Sequence, residues 1–220
     1  MTAITVTTPQ EFSRKPIATG PFKVVKWTSG SHVMYEKNEN YWRDGLPYVD
    51  RIRCQFNVDP AVELAQFKTG ELDMLDSIPA AEVAGWQADD SVVVFPLEDP
   101  VHRLIQFNRN LEPWTGDKGK QLRLALAYAV DREGFAQAVY QGLARPGKGV
   151  IHPTIGWAFD DDWDAIQLDP AKVSEHLAAA GVEIPYKFVA NVHNRADGIS
   201  QATAVQASVS KYGFDMEMKL

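Results

Sequence analysis

PVHRLIQFNRNLEPWTGDKGKQLRLALAYAVDREGF, residues 100–135, is the stretch that decides the fold. Val101, Arg103, Ile105 and Phe107 alternate with His102, Leu104, Gln106 and Asn108, the period of two that an extended strand requires. The second set mixes apolar and polar groups, the pattern of a strand largely covered by protein. Asn108 to Gly116 reads as a loop, with Asn, Pro and Gly close together. Leu122, Ala125, Leu126 and Ala129 then recur at helical spacing, with Thr115 or Asp117 available as cap. Asp131 can cap a second helix, whose apolar side carries Phe135 and Val139.

Toward the C-terminus, residues 142–164 read as a long irregular loop holding Gly147, Pro153, Trp157 and Trp163. Loops of that length inside a compact domain tend to be functional or disordered. Asp169-Pro170 opens a helix by a capping side chain and a proline at the first turn, and Gly181 closes it. Residues 186–191 read as a strand and residues 197–212 as a helix with Ile199, Ala202, Val205 and Val209 inward. Residues 214–220 alternate as a second strand, so a parallel pair joined by a helical crossover is expected.

Toward the N-terminus, residues 22–27 and 32–37 form a hairpin around Gly30. Tyr41 and Trp42 are expected to fill space beneath the sheet. Residues 49–57 alternate with Ile52, Cys54 and Phe56 on the covered side, which makes Cys54 a small core hydrophobe. A helix runs from Asp59-Pro60 to Gly70 with Leu64 and Phe67 inward. Strands at 71–75 and 91–97 flank a short helix at 79–87, and residues 1–16 are a polar lead-in. The strand–helix alternation gives an α/β fold class.

Three collinear blocks carry a family resemblance. Ile17-Ala-Thr-Gly-Pro-Phe-Lys-Val24 is followed by Asn38-Glu-Asn-Tyr-Trp42, then by Phe67-Lys-Thr-Gly-Glu-Leu-Asp73. Leu104-Ile-Gln-Phe-Asn108 and Arg123-Leu-Ala-Leu-Ala-Tyr-Ala-Val-Asp-Arg132 complete the pattern. Over residues 15–220 the chain resembles extracytoplasmic solute-binding proteins of the dipeptide, oligopeptide and nickel group, the receptors of bacterial ABC importers. The resemblance implies a periplasmic-binding-protein-like fold of type II with two lobes, incomplete here because family members are more than twice as long. Residues 17–103 would be part of lobe one, 104–116 a hinge or crossover, and 117–220 the first half of lobe two. It also implies a periplasmic or extracytoplasmic location, a small peptide or similar solute as ligand, and ABC permease subunits as partners.

Composition narrows the alternatives. The 220 residues are 45% hydrophobic and 23% charged, with a net charge of −7, which disfavours nucleic acid as a partner. No run of apolar residues is long enough to span a bilayer, and the first residues lack the basic and apolar regions of a signal peptide. The single Cys54 excludes an internal disulfide framework. Asp160, Asp162 and Asp164 begin like a calcium loop, but Ala165 stands where Gly is needed and Ala171 where a bidentate Glu is needed. Gly116-Asp-Lys-Gly-Lys120 lacks the spacing and the final hydroxyl of a phosphate loop. The histidines lack metal-ligand spacing and no nucleophile elbow is present, so neither a cofactor nor enzymatic activity is expected.

What remains is a cleft closed by hinge motion. By position, its candidate ligand residues are His102, Arg103, Gln106, Asn108 and Trp114 at the crossover and Trp157 in the long loop. Arg103 can pair a ligand carboxylate or a neighbouring acid, Glu98 or Asp99. Asn108 can equally tie the following loop, and the two tryptophans can equally be packing residues. The groups that pair a peptide's termini fall largely in family segments outside this chain, so weak or no ligand binding is expected of it alone. Within the family the alternatives are a nickel-chelate, haem or sugar receptor. Outside it stand an α/β hydrolase, or an interaction or sensory module. Bare strands at 91–97 and 214–220 lead to the further expectation that the isolated chain dimerises.

Overall fold

The computed structural model describes residues 12–13, 16–56, 59–95, 97, 100–163 and 165–220. They belong to two compact units, divided between Ile78 and Pro79. The crossover expected at 104–116 lies inside the second unit.

The first unit is built on an antiparallel sheet in the order β1 (Phe22–Thr28), β2 (His32–Lys37), β3 (Arg51–Gln55). The β1–β2 turn closes with the Ser31 amide donating to the Thr28 carbonyl at 3.0 Å, and Gly30 supplies the left-handed φ of 70° that the turn needs. Asn38 locks the end of the hairpin: its Nδ2 donates to the Gly20 carbonyl at 2.9 Å and its backbone N–H to the Pro21 carbonyl at 2.8 Å. Helix α1 (Pro60–Lys68) starts as the sequence requires, with Asp59 Oδ1 accepting from the Ala61 amide at 2.8 Å. Leu64 and Phe67 are half-buried.

Two expectations fail in this unit, one drawn from alternation and one from the general burial of aromatic rings. Cys54 is exposed, not a core hydrophobe, and Trp42 is 70% exposed, with the Arg43 guanidinium 4.7 Å over its ring. Alternation tells which side of a strand a residue occupies, not whether that side is covered. Among the described residues, no aliphatic or aromatic side chain of this unit is buried apart from the Pro47 ring. The strand expected at 71–75 also does not form. The Glu71 and Leu72 amides both donate back to the Gln66 carbonyl, closing α1 instead of joining a ladder.

The second unit holds the core. It comprises α2 (Ala80–Gln87), α3 (Gly116–Ala129), α4 (Arg132–Tyr140), α5 (Pro170–Ala180), β4 (Tyr186–Asn191), α6 (Ala196–Val209), a 3-10 turn (Ser210–Tyr212) and β5 (Phe214–Lys219). β4 and β5 pair in parallel from Tyr186–Phe214 to Asn191–Lys219, with α6 between them in sequence. Leu122, Ala125, Leu126 and Ala129 of α3 pack with Val173 and Leu177 of α5, Val209 of α6, and Phe214 and Met216 of β5. Asp131 caps α4 through the Gly134 amide at 2.8 Å, and Asp169 caps α5 through the Ala171 and Lys172 amides. Thr115 sits at the N-cap of α3 but makes no side-chain capping bond. Buried Ser208 ties α6 to the end of α3, donating to the Ala129 carbonyl at 2.9 Å and accepting from the Asp131 amide at 2.8 Å.

Residues 100–107 form no strand, and neither do the described residues of 91–97. A strand is defined by backbone pairing with a neighbour. No described segment pairs with either run.

Candidate functional site

The unpaired run at 100–107 leads into the loop before α3, and around it the structure gathers side chains from distant segments. His102 is half-buried and meets His152 edge to face at 5.6 Å, bringing the long loop against the crossover. His152 Nδ1 accepts from the Thr154 amide at 3.2 Å, so the loop turns back on itself there. Arg103 Nε donates to the Tyr140 hydroxyl at 3.1 Å, which also accepts from Gln201 Nε2 at 3.1 Å. Tyr140 is thus the point where the crossover, the end of α4 and α6 meet. Glu98 and Asp99, weighed as alternative partners of Arg103, lie outside the described residues.

The other sequence-derived candidates separate from this group. Gln106 and Asn108 are exposed. Asn108 Oδ1 accepts from the Asn110 amide at 3.1 Å and its carbonyl from Leu111 at 3.1 Å, the bonds of a residue that shapes its own loop. Trp114 packs between Phe107 at 4.8 Å and Phe188 at 5.6 Å, against the core. Trp157 is 92% exposed. The loop that carries it is tethered by Lys148, whose ammonium donates to the Asp161 carboxylate at 2.8 Å and to its carbonyl at 2.7 Å. That bond, and the charge of Lys148, hold the Asp161 carboxyl below the ordinary value of 3.8.

A concavity of about 500 Å³ opens where the crossover loop enters α3. Arg109, Trp114, Gly116, Asp117, Lys120 and Arg123 are in its lining. Sequence reading met Lys120 only within the rejected phosphate-loop pattern and put none of Arg109, Lys120, Arg123, Tyr140, Gln201 and His152 among the site residues. Lys120 and Arg123, three apart on one helix, were the one local signal available; the rest are brought in by tertiary packing. Among the described residues no three His, Cys, Asp or Glu side chains group as a metal site, and no helix is long and apolar enough to cross a membrane.

Comparison with known proteins extends the picture. The family model for "Bacterial extracellular solute-binding proteins, family 5 Middle" matches residues 4–220. Heme-binding protein A of Haemophilus influenzae is 31% identical over 173 residues, 79% of this chain and 31% of that protein. The dipeptide-binding protein of Escherichia coli is 28% identical over 176 residues, 80% of this chain and 32% of that protein. The chain therefore spans about a third of the length of the curated relatives it matches. Among solved structures, Helicobacter pylori DppA in complex with the peptide STSA superposes with a TM-score of 0.80 at 22% identity, over 95% of this chain and 40% of that one. NikA of Staphylococcus aureus, in complex with Ni(L-His)2, gives 0.77 at 20% identity, over 97% and 45%. Both likenesses concern the fold.

Proposed function

Since the chain belongs to family 5 of the bacterial extracellular solute-binding proteins, a family of binding proteins that work outside the cytoplasm, we propose that it is part of a receptor for a small peptide or similar solute. The complete receptor closes two lobes over its ligand and presents the closed form to the membrane subunits of an ABC permease. The match of the family model over residues 4–220 carries this reading. The arrangement at the crossover supports it: His102 and Arg103 stand at the junction of an unpaired segment with two helices and a long loop. Hydrogen bonding and charge pairing with ligand termini, with side chains left in tolerant pockets, suit such groups. A haem receptor is the second reading, favoured by the 31% identity to the haem-binding protein, and a nickel-chelate receptor stands beside it as the family's other alternative.

Calorimetry with a di- to pentapeptide library tests the proposal. It is run on this chain and on a polypeptide in which the chain replaces the matching third of the Escherichia coli dipeptide-binding protein. Micromolar peptide binding by the longer polypeptide is expected, with weak or no binding by the chain alone. A folded longer polypeptide that binds Ni(L-His)2 or haem but no peptide selects the second reading. One that binds none of these overturns both, and micromolar binding by the 220-residue chain itself overturns the need for groups outside it.

A further inference from the structure

We propose that the concavity at the start of α3 binds a small oxyanion group, a phosphate or a carboxylate. Three cationic side chains, Arg109, Lys120 and Arg123, line it against one carboxylate, Asp117. That local excess runs against the chain's net charge of −7. Among the described residues, Arg109 and Lys120 make no ion pair and no side-chain hydrogen bond, so both charges are available. Arg123 is held differently. It is half-buried and donates through Nη1 to the Trp114 carbonyl, which fixes the guanidinium and leaves its other N–H groups for a second acceptor.

The geometry suits a compact anion. Lys120 and Arg123 are three residues apart on α3, so their side chains lie on one face, and Arg109 comes from the preceding loop. Glu112, the other acid of this segment, is not in the lining of the concavity. A guanidinium presents a planar fork to two oxygens and an ammonium adds a mobile point charge, a combination that fits phosphate and carboxylate. The volume of about 500 Å³ falls in the roughly 300–1,000 Å³ range of small-molecule pockets. Gly116 is part of the lining and Thr115 leaves the opening amides of α3 uncapped, so those amides add to the same field.

Titration of the isotope-labelled chain with inorganic phosphate, and separately with citrate, reads this by amide NMR at constant ionic strength against chloride. Saturable shifts are expected at Arg109 and at residues 116–120, weakened at least threefold in the double variant Arg109→Ala/Lys120→Ala. Both substituted residues are exposed, so the fold is retained, which circular dichroism checks. Asp117→Asn removes the one opposing charge and is expected to tighten binding. Response to phosphate alone or citrate alone identifies the oxyanion. Shifts no larger than those in chloride, or a double variant within threefold of the parent, overturn the proposal. The experiment uses no peptide, so it fails or succeeds apart from the receptor reading above.

Discussion

Residues up to Ile78 and residues from Pro79 onward are written in the same vocabulary of capped helices and alternating strands, yet they bury very different amounts of it. In the second unit Leu122, Leu126, Val209 and Phe214 are almost completely inaccessible, and α3, α5, α6 and the parallel strands all contribute to one cluster. In the first, Val25, Trp27 and Phe56 stay exposed around a well-formed antiparallel sheet. Hydrogen-bonded strands form from local sequence and a turn. A core needs a second layer, and β4 and β5 receive theirs from helices within their own unit. Parallel strands, which depend most on being covered, are found where that cover exists.

The sharpest way to break this contrast is to remove one large side chain from each unit. Phe214→Ala should cost about 3–5 kcal/mol in urea unfolding, because Phe214 is 1% exposed and meets both Tyr186 and Phe188 edge to face. Ile52→Ala, at a half-buried position of the edge strand β3, should cost less than about 1 kcal/mol. Equal losses would erase the distinction. Next in size is Ser208→Ala, which strips both the donor to Ala129 and the acceptor for Asp131 from a buried site, and should lower stability by about 1–3 kcal/mol. Asp169→Ala, removing a cap with two amide partners at the start of α5, should lower it by about 1 kcal/mol in the same assay.

The smallest effect belongs to the long loop. Asp161 titrates below 3.8 in the folded chain because Lys148 donates to it and lies beside it as a charge. The tether is therefore fully present above the ordinary carboxylate value and is lost as pH falls through the lower folded one. Both partners are exposed, so limited proteolysis of the loop, not global stability, is where acid should register. Cleavage after pre-equilibration should be unchanged between pH 8 and 6 and faster near pH 3 under an acid protease. Lys148→Met should show the faster cleavage throughout.

Local chemistry was legible in the sequence where one residue acts on its near neighbours. Asp59, Asp131 and Asp169 cap the helices they were expected to cap, and Gly30, Gly181 and Gly213 take the left-handed conformations of a turn and two helix ends. The crossover between β4 and β5 was readable because both strands and the helix between them are contiguous. Reading failed where a partner had to come from elsewhere. The run at 91–97 is strongly apolar and that at 101–107 alternates like a strand, but neither pattern supplies a neighbour for the backbone groups. Cys54 was placed inside by alternation and Trp42 by the general burial of aromatic rings, and neither carries information about what covers a face. The candidate site divides in the same way. Asn108 bonds within its own loop, as the local rule allows, whereas the Arg103–Tyr140–Gln201 meeting spans 98 positions of sequence from Arg103 to Gln201 and had no local signature.

Hydrogen exchange of the 220-residue chain, read by mass spectrometry, tests the contrast most directly. Peptides covering Leu122–Val130 and Tyr186–Ala190 should be the last to exchange, opening only with global unfolding of their unit, while those covering β1 to β3 exchange much earlier despite their antiparallel pairing. Protection of β1 to β3 equal to that of α3 and β4 would contradict the account, because it would mean that the first sheet has a core of its own.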